Sequence, residues 1–284
     1  VQEFDPKVQK AINRIQPPDM VRRAVDRFRA VGVESVNFDL IYGLPHQTTS
    51  KLLDTVKKCV EMQPDRIALF GYAHVPWMAK KQRMIDEAAL PDSAARQEQA
   101  HEASEALKEA GYVAIGLDHF ALPHDDMAKA AAEGALRRNF QGYTTDTAQA
   151  LLGVGATSIS RTPSGFVQNI AETGAWARSV QAGELPVGKG RGFVGQDALR
   201  GHVIEQLMCN GTVDLAAAGA AFGESRNWFY ESEPDLSQFE RDCLLTRSGS
   251  TITLTPGGVP LCRIVASVFD EYLSAGTARH AVAV

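Results

Sequence analysis

The chain has 284 residues, 44% of them hydrophobic and 22% charged, with 29 Lys and Arg against 34 Asp and Glu, for a formal net charge of −5. That length can bury one large core or two, and the acidic balance argues against a nucleic-acid partner, since the basic spots Arg137-Arg138 and Lys189 to Arg191 are too small to reverse it. No apolar run approaches the roughly 18 residues a membrane span needs, and no charged-then-apolar leader opens the chain, so no membrane span and a cytoplasmic location are expected.

The opening Val1 to Phe4 reads as the end of a strand, and Asp5-Pro6 as a helix start, with proline at the first helical position. Val8, Ala11, Ile12 and Ile15 recur at helical spacing until Pro17-Pro18 breaks and restarts the chain. Val21, Ala24, Val25 and Phe28 make a second helical face, closed by Gly32. A strand over Val36 to Tyr42 follows, then Gly43-Leu44-Pro45, then a helix capped by Thr48 or Thr49 with Leu52, Leu53, Val56 and Val60 on its apolar side. Arg66 to Ala73 is the next strand. The helix–strand–helix–strand rhythm predicts a parallel sheet or barrel with right-handed crossovers.

A long helix is predicted from Asp92 through Ala110, a further strand over Val113 to Leu117, and a helix over Asp126 to Arg138. Asn139 to Thr145 reads as a polar loop bearing aromatic residues, and Thr157 to Ser160 as β-prone. Asn169 to Gln181 reads as helix. Gly183 to Gly195, with five glycines and Pro186, reads as a linker, which places a domain boundary near residue 195. Beyond it the pattern is three helices (196–209, 214–222, 236–243), a hairpin over Leu244 to Thr255 and a last helix from Val259 to Leu273. Three helices with a β wing suggest a winged-helix-like domain. Without a basic recognition helix, a lid or structural cap fits it better than a DNA-binding regulator.

Asp39 is the odd residue of its strand. Alternation puts Asn37, Asp39 and Ile41 on one face and Phe38, Leu40 and Tyr42 on the other, and a carboxylate mid-strand is costly to bury unless something satisfies it. It is either a structural carboxylate bonded to its neighbours or a ligand contact at the carboxyl end of a parallel strand, where α/β folds place their sites. Gln2, Asp39, Tyr72-Ala73-His74 and Asp118-His119 would converge on one rim if the strands are parallel. His119 is either a satisfied core imidazole beside Asp118 or a proton or orientation group. Gly153 and Gly155 form only a GxG, which close packing explains as well as a nucleotide loop does. Arg14 by itself reads as a solvated surface residue. Cys59, Cys209, Cys243 and Cys262 share no short spacing, so they fit buried or reduced thiols and neither a zinc set nor a disulfide framework.

These residues taken together resemble the oxygen-independent coproporphyrinogen III oxidase family of radical S-adenosylmethionine enzymes. The likeness runs nearly end to end: Val1-Gln2-Glu3-Phe4, Asn13-Arg14, Asp39 to Pro45, Tyr72-Ala73-His74, Gly116 to Ala121, and Arg138 to Thr145. The Asp39 to Pro45 segment is shared with related haem chaperones, the alternative reading; Asp118 to Ala121 and Asn139 to Thr145 point to the oxidase. The resemblance implies the later part of a partial radical-SAM-type (β/α) barrel over residues 1–195, followed by the mainly helical, winged-helix-like domain over 196–284. It implies an oxidoreductase of haem biosynthesis that decarboxylates two propionates of coproporphyrinogen III to vinyl groups, giving protoporphyrinogen IX. A 4Fe–4S cluster, fed by an electron donor, would cleave S-adenosylmethionine to a 5′-deoxyadenosyl radical. Two S-adenosylmethionine molecules are implied, contacted by Gln2, Arg14, Asp39, Ala73, Phe140, Gln141 and Ile159. The family's CxxxCxxC cluster motif and its glycine-rich segment are absent from this sequence. The chain therefore reads as a carboxy-terminal piece, inactive alone and expected to self-associate through open sheet edges.

Overall fold

The computed structural model describes residues 1–225, 228 and 236–273. They form two compact units, Val1–Gly134 and the described residues from Ala135 onward. The division between them falls after Gly134. Residues 274–284, at the end of the expected second domain, lie outside the described residues.

In the first unit α1 (Pro6–Ala11) begins where its sequence says it should, since Asp5 accepts from the N–H groups of Lys7 and Val8. Helix α2 spans Pro18–Ala30, and Gly32 follows it with φ +87°. Strand β1 (Asn37–Tyr42) pairs in parallel with β2 (Arg66–Gly71) through α3 (Thr49–Val60), which Thr48 caps. The βα rhythm then stops. After α4 (Ser93–Glu109), the single strand predicted over Val113 to Leu117 is instead part of a hairpin of β3 (Val113–Ile115) and β4 (His119–Ala121). Gly116, at φ +58°, reverses the chain in the hairpin's turn. The sheet order is β1-β2-β4-β3, with β4 antiparallel to β2, and no closed barrel forms among the described residues. Helix α5 (Asp126–Ala132) ends the unit, shorter than predicted because the chain turns at Gly134, φ +66°. Val1 to Phe4 is not a strand, although the Ile41 N–H donates to the Gln2 carbonyl at 3.1 Å.

One face of this sheet carries the core. Phe38 and Leu40 of β1 and Ile67 and Leu69 of β2 pack on Leu52, Val56 and Cys59 of α3 and on Ala103 and Leu107 of α4. The start of β1 is fixed by Asp65, which accepts from the Val36 N–H at 2.7 Å and from Arg29 at 2.5 Å. Burial would raise the Asp65 carboxyl, but the Val36 N–H and the Arg29 guanidinium outweigh it and hold its pKa below the ordinary value. A depressed carboxyl contributes stability that is present above its unfolded pKa of about 3.9 and is lost as pH falls through the lower folded value. Acidification below about pH 4 should therefore loosen β1, and Asp65→Asn should flatten that part of the pH–stability curve in urea titrations.

The second unit holds three small sheets. β5 (Arg137–Asn139) and β6 (Gly142–Thr144) form a hairpin where the sequence suggested a loop. β7 (Ile159–Thr162), β8 (Gly165–Asn169) and β9 (Val187–Gly192) form an antiparallel sheet. The glycine-rich linker is therefore an edge strand; Gly190 and Gly192 pair with Val167 and Gly165, and a Cβ on Gly165 would lie 2.2 Å from the Arg191 carbonyl. Helix α6 (Thr173–Gln181) lies between β8 and β9. The winged-helix-like part keeps its predicted order: α7 (Asp197–Asn210), α8 (Leu215–Ala221), α9 (Ser237–Arg241) and α10 (Cys262–Ser267), with β10 (Thr212–Asp214), β11 (Leu245–Ser248) and β12 (Thr251–Leu254) in the order β10-β12-β11; the last helix is shorter than the predicted Val259 to Leu273, and β10 joins the predicted hairpin as a third strand. No described helix is long and apolar enough to cross a membrane.

Candidate active site

Helices α3 and α4 cover one face of the first unit's sheet; the other face carries the polar residues. Strand register sets three rows there: Asn37 beside Arg66 and Ala121, Asp39 beside Ala68 and His119, and Ile41 beside Phe70. Asn37 and Asp39 are exposed, so the desolvation penalty foreseen for Asp39 does not arise. Asn37 Nδ2 donates to Asp39 Oδ1 at 2.8 Å, and among the described residues no cation pairs with that carboxylate. Asp39 sits third of six in β1 rather than at its carboxyl end.

Across the row, His119 Nδ1 lies 2.7 Å from Asp118 Oδ1, and its ring meets Phe70 edge-on at 5.7 Å. This is the oriented, partnered imidazole of the plainer sequence reading. Asp118 reaches the carboxyl end of β2 even though β4 runs antiparallel, because the β3–β4 turn falls there and the Leu69 N–H donates to the Asp118 carbonyl at 2.7 Å.

Gln2, Arg14 and Asp39 share a neighbourhood. Burial pushes the Val1 amine below its ordinary value; Cys59 and Asp39 oppose that shift and Arg14 adds to it, so both Arg14 and Asp39 lie within electrostatic reach of Val1. Arg14 is exposed and donates through Nε to Gln16 Oε1 at 3.0 Å. Ala73 lies just past β2. Its carbonyl accepts from Gln82 Nε2 at 3.0 Å while the Val75 N–H donates to Gln82 Oε1 at 2.6 Å, so one glutamine clamps the segment. His74 bridges the Tyr72 hydroxyl (3.2 Å) and Glu87 (2.9 Å).

The remaining three residues belong to the second unit. Phe140 is 56% exposed and stands edge-on to Phe166, itself edge-on to Phe193. Gln141 follows it in the β5–β6 turn, its N–H donating to Asn139 Oδ1 at 2.8 Å with the side chain exposed. Ile159 opens β7 opposite Gln168.

Sequence reasoning missed the support beneath the first cluster. Glu3, Gln9, Gln47, Thr55 and Gln99 are buried polar residues. Glu3 Oε1 accepts from the Phe4 and Asp5 N–H groups (2.7 and 2.9 Å) and from the Thr55 hydroxyl, and Glu3 Oε2 accepts from Gln47 Nε2 at 2.6 Å. Gln47 also donates to the Ile41 carbonyl at 2.9 Å and accepts from the Leu44 N–H at 3.0 Å. Gln99 accepts from the Gly43 N–H at 2.9 Å. This net ties the Glu3 to Asp5 segment to the end of β1 and the following turn. Gly43, at φ +81°, lies under Arg96, whose Nε would be 3.0 Å from an added Cβ. The one available signal was Gln99 itself, which falls on the Ala103–Leu107 stripe at four-residue spacing.

The cysteines offer no metal set. Cys59, Cys209 and Cys262 are buried and Cys243 is exposed, all as free thiols. Burial pushes Cys59 and Cys209 up to about 12, which makes them inert. Among the described residues no three His, Cys, Asp or Glu side chains gather as a metal site.

No family model matches the chain. Individual proteins do. It is 47% identical over 284 residues, all of this chain and 63% of the relative, to an oxygen-independent coproporphyrinogen III oxidase of Bradyrhizobium diazoefficiens. A Pseudomonas aeruginosa protein of the same description is 39% identical over 274 residues, 96% of this chain and 60% of its own. The solved coproporphyrinogen III oxidase of Escherichia coli, described as a radical SAM enzyme, superposes with a TM-score of 0.92 at 35% identity, covering 96% of this chain and 63% of that one. The chain is a relative of these oxidases. It spans 60–63% of the length of these curated relatives, and its mixed α/β architecture is that of part of a radical-SAM-type fold followed by the winged-helix-like part.

Proposed function

We propose that this chain is the substrate- and S-adenosylmethionine-holding part of an oxygen-independent coproporphyrinogen III oxidase, in which two propionates of coproporphyrinogen III become vinyl groups. The end-to-end likeness to proteins of that description carries the reading. The site chemistry supports it. The exposed, cation-free carboxylate of Asp39 suits ribose hydroxyls or an ammonium group. Arg14 uses only Nε in its described bond, leaving its outer nitrogens for a carboxylate. Phe140 offers an aromatic face to an adenine or a tetrapyrrole. Gln2, Ala73, Gln141 and Ile159 complete the contacts for two S-adenosylmethionine molecules. Bound S-adenosylmethionine supplies, on one-electron reduction, the hydrogen-abstracting chemistry. The chain's own residues bind and orient it, with Gln82 holding Ala73 and the Ile41 N–H holding the Gln2 carbonyl.

A 4Fe–4S cluster does not fit the described residues, which present no set of ligands for it. Anaerobic reconstitution of the 284-residue chain with iron and sulfide should therefore give no cluster absorbance and no turnover. A polypeptide carrying this chain behind a CxxxCxxC segment should hold a cluster and form protoporphyrinogen IX from coproporphyrinogen III, S-adenosylmethionine and a reductant. Such a polypeptide that keeps its cluster but forms no product would refute the reading. Nothing observed favours the haem-chaperone alternative, and the acidic chain gives none to a DNA-binding role for residues 196–284. A lid or structural cap is the role proposed for them.

A further inference from the structure

Three arginines crowd one small cleft of the second unit. Arg137 and Arg138 come from β5 and Arg161 from β7, and Thr144, Asp146 and Glu205 help line a space of about 40 Å³. Arg137 is matched: its Nε and Nη2 donate to the Glu205 carboxylate at 3.0 and 3.4 Å. Glu205 also accepts from the Arg138 N–H at 3.0 Å, and Asp146 Oδ1 is taken by the Ala148 N–H at 2.8 Å. Arg138 and Arg161 have no carboxylate partner among the described residues. Arg138 Nε is buried without a hydrogen-bond partner, its guanidinium 5.5 Å from the centre of the Tyr143 ring.

A guanidinium offers five donors in a planar fork that matches a carboxylate. Here three such charges face two carboxylates already bonded to the protein, so the cleft keeps a surplus positive charge and a buried donor unsatisfied. A space of that size holds a few water-sized groups, enough for a carboxylate and far too little for a tetrapyrrole ring. An anionic group on a flexible arm meets those limits. Resting on the oxidase reading above, we infer that this cleft binds one propionate carboxylate of the tetrapyrrole, between Arg138 and Arg161. The ring stays outside.

The test is fluorescence titration of coproporphyrin III, the stable tetracarboxylate, with the 284-residue chain. The wild type should bind it and bind its tetramethyl ester about tenfold more weakly. Arg161→Gln should weaken the acid by a similar factor and leave the ester unchanged, Arg161→Lys should fall between, and Arg178→Gln, an exposed arginine elsewhere in the unit, should change neither. Equal affinity for acid and ester, no binding of the acid, an unaffected Arg161→Gln, or displacement by inorganic phosphate as easily as by propionate would each overturn the inference. The ester comparison uses the unaltered protein, so a misfolded variant does not decide it. Discrimination between acid and ester by the chain, beside a cluster-holding longer polypeptide that forms no protoporphyrinogen IX, would sink the oxidase reading while leaving the cleft.

Discussion

Glu3→Ala should cost the first unit about 4 kcal/mol, more than any other single substitution in the site's support. Glu3 is 2% exposed and has no cation beside it among the described residues; its two oxygens are satisfied by the Phe4 and Asp5 N–H groups, the Thr55 hydroxyl and Gln47 Nε2. Removing the carboxylate leaves those donors facing a void. Each buried donor stranded costs about 1–3 kcal/mol, reduced where a second acceptor remains. Phe4 N–H keeps Thr55 Oγ1 at 3.1 Å and Gln47 keeps the Ile41 carbonyl, so the total falls well short of the sum. Glu3→Gln preserves shape but sets an amide N–H against one of the donors, and should lose about half as much. Amide exchange in β1 and β2 reads the effect where it acts. A loss below about 1 kcal/mol for Glu3→Ala would mean that water enters and replaces the carboxylate.

The pattern of success in the sequence follows from length and side chain. β1 and α3 were legible because six alternating residues and an apolar helical stripe with a capping threonine are long enough to show their period. β3 and β4 were not, because three residues on either side of Gly116 carry no period, and the run Val113 to Leu117 imitates one longer strand. The β5–β6 hairpin was hidden in the same way. β9 was misread for a different reason: its alternate glycines look like a linker, whereas Gly190 and Gly192 run against β8, where a Cβ on Gly190 would lie a tight 3.2 Å from the Phe166 carbonyl.

Of the candidate site, the alternation along β1 correctly put Asp39 opposite Phe38 and Leu40, and the burial of the latter two follows it. What alternation cannot say is which face is covered, and the feared cost of Asp39 was an answer to the wrong face. The Glu3, Gln47 and Gln99 net was illegible because glutamine and glutamate read as surface residues until their partners, more than forty positions away, are known.

On the proposed reading the open face of β1 holds S-adenosylmethionine, with Asp39 as its carboxylate contact. A carboxylate that accepts two hydrogen bonds from ribose hydroxyls contributes about 3 kcal/mol, which is about 100-fold in affinity. Asp39 is exposed and its described bond comes from Asn37, so Asp39→Ala should leave the fold intact and its loss should register as binding alone. The deciding measurement is calorimetric titration of S-adenosylmethionine into the wild-type chain and into Asp39→Ala under anaerobic conditions. Saturable binding to the wild type, competed by S-adenosylhomocysteine, and binding about 100-fold weaker to the variant are expected. Equal affinity for both proteins, or no binding by the folded wild type, would contradict that reading.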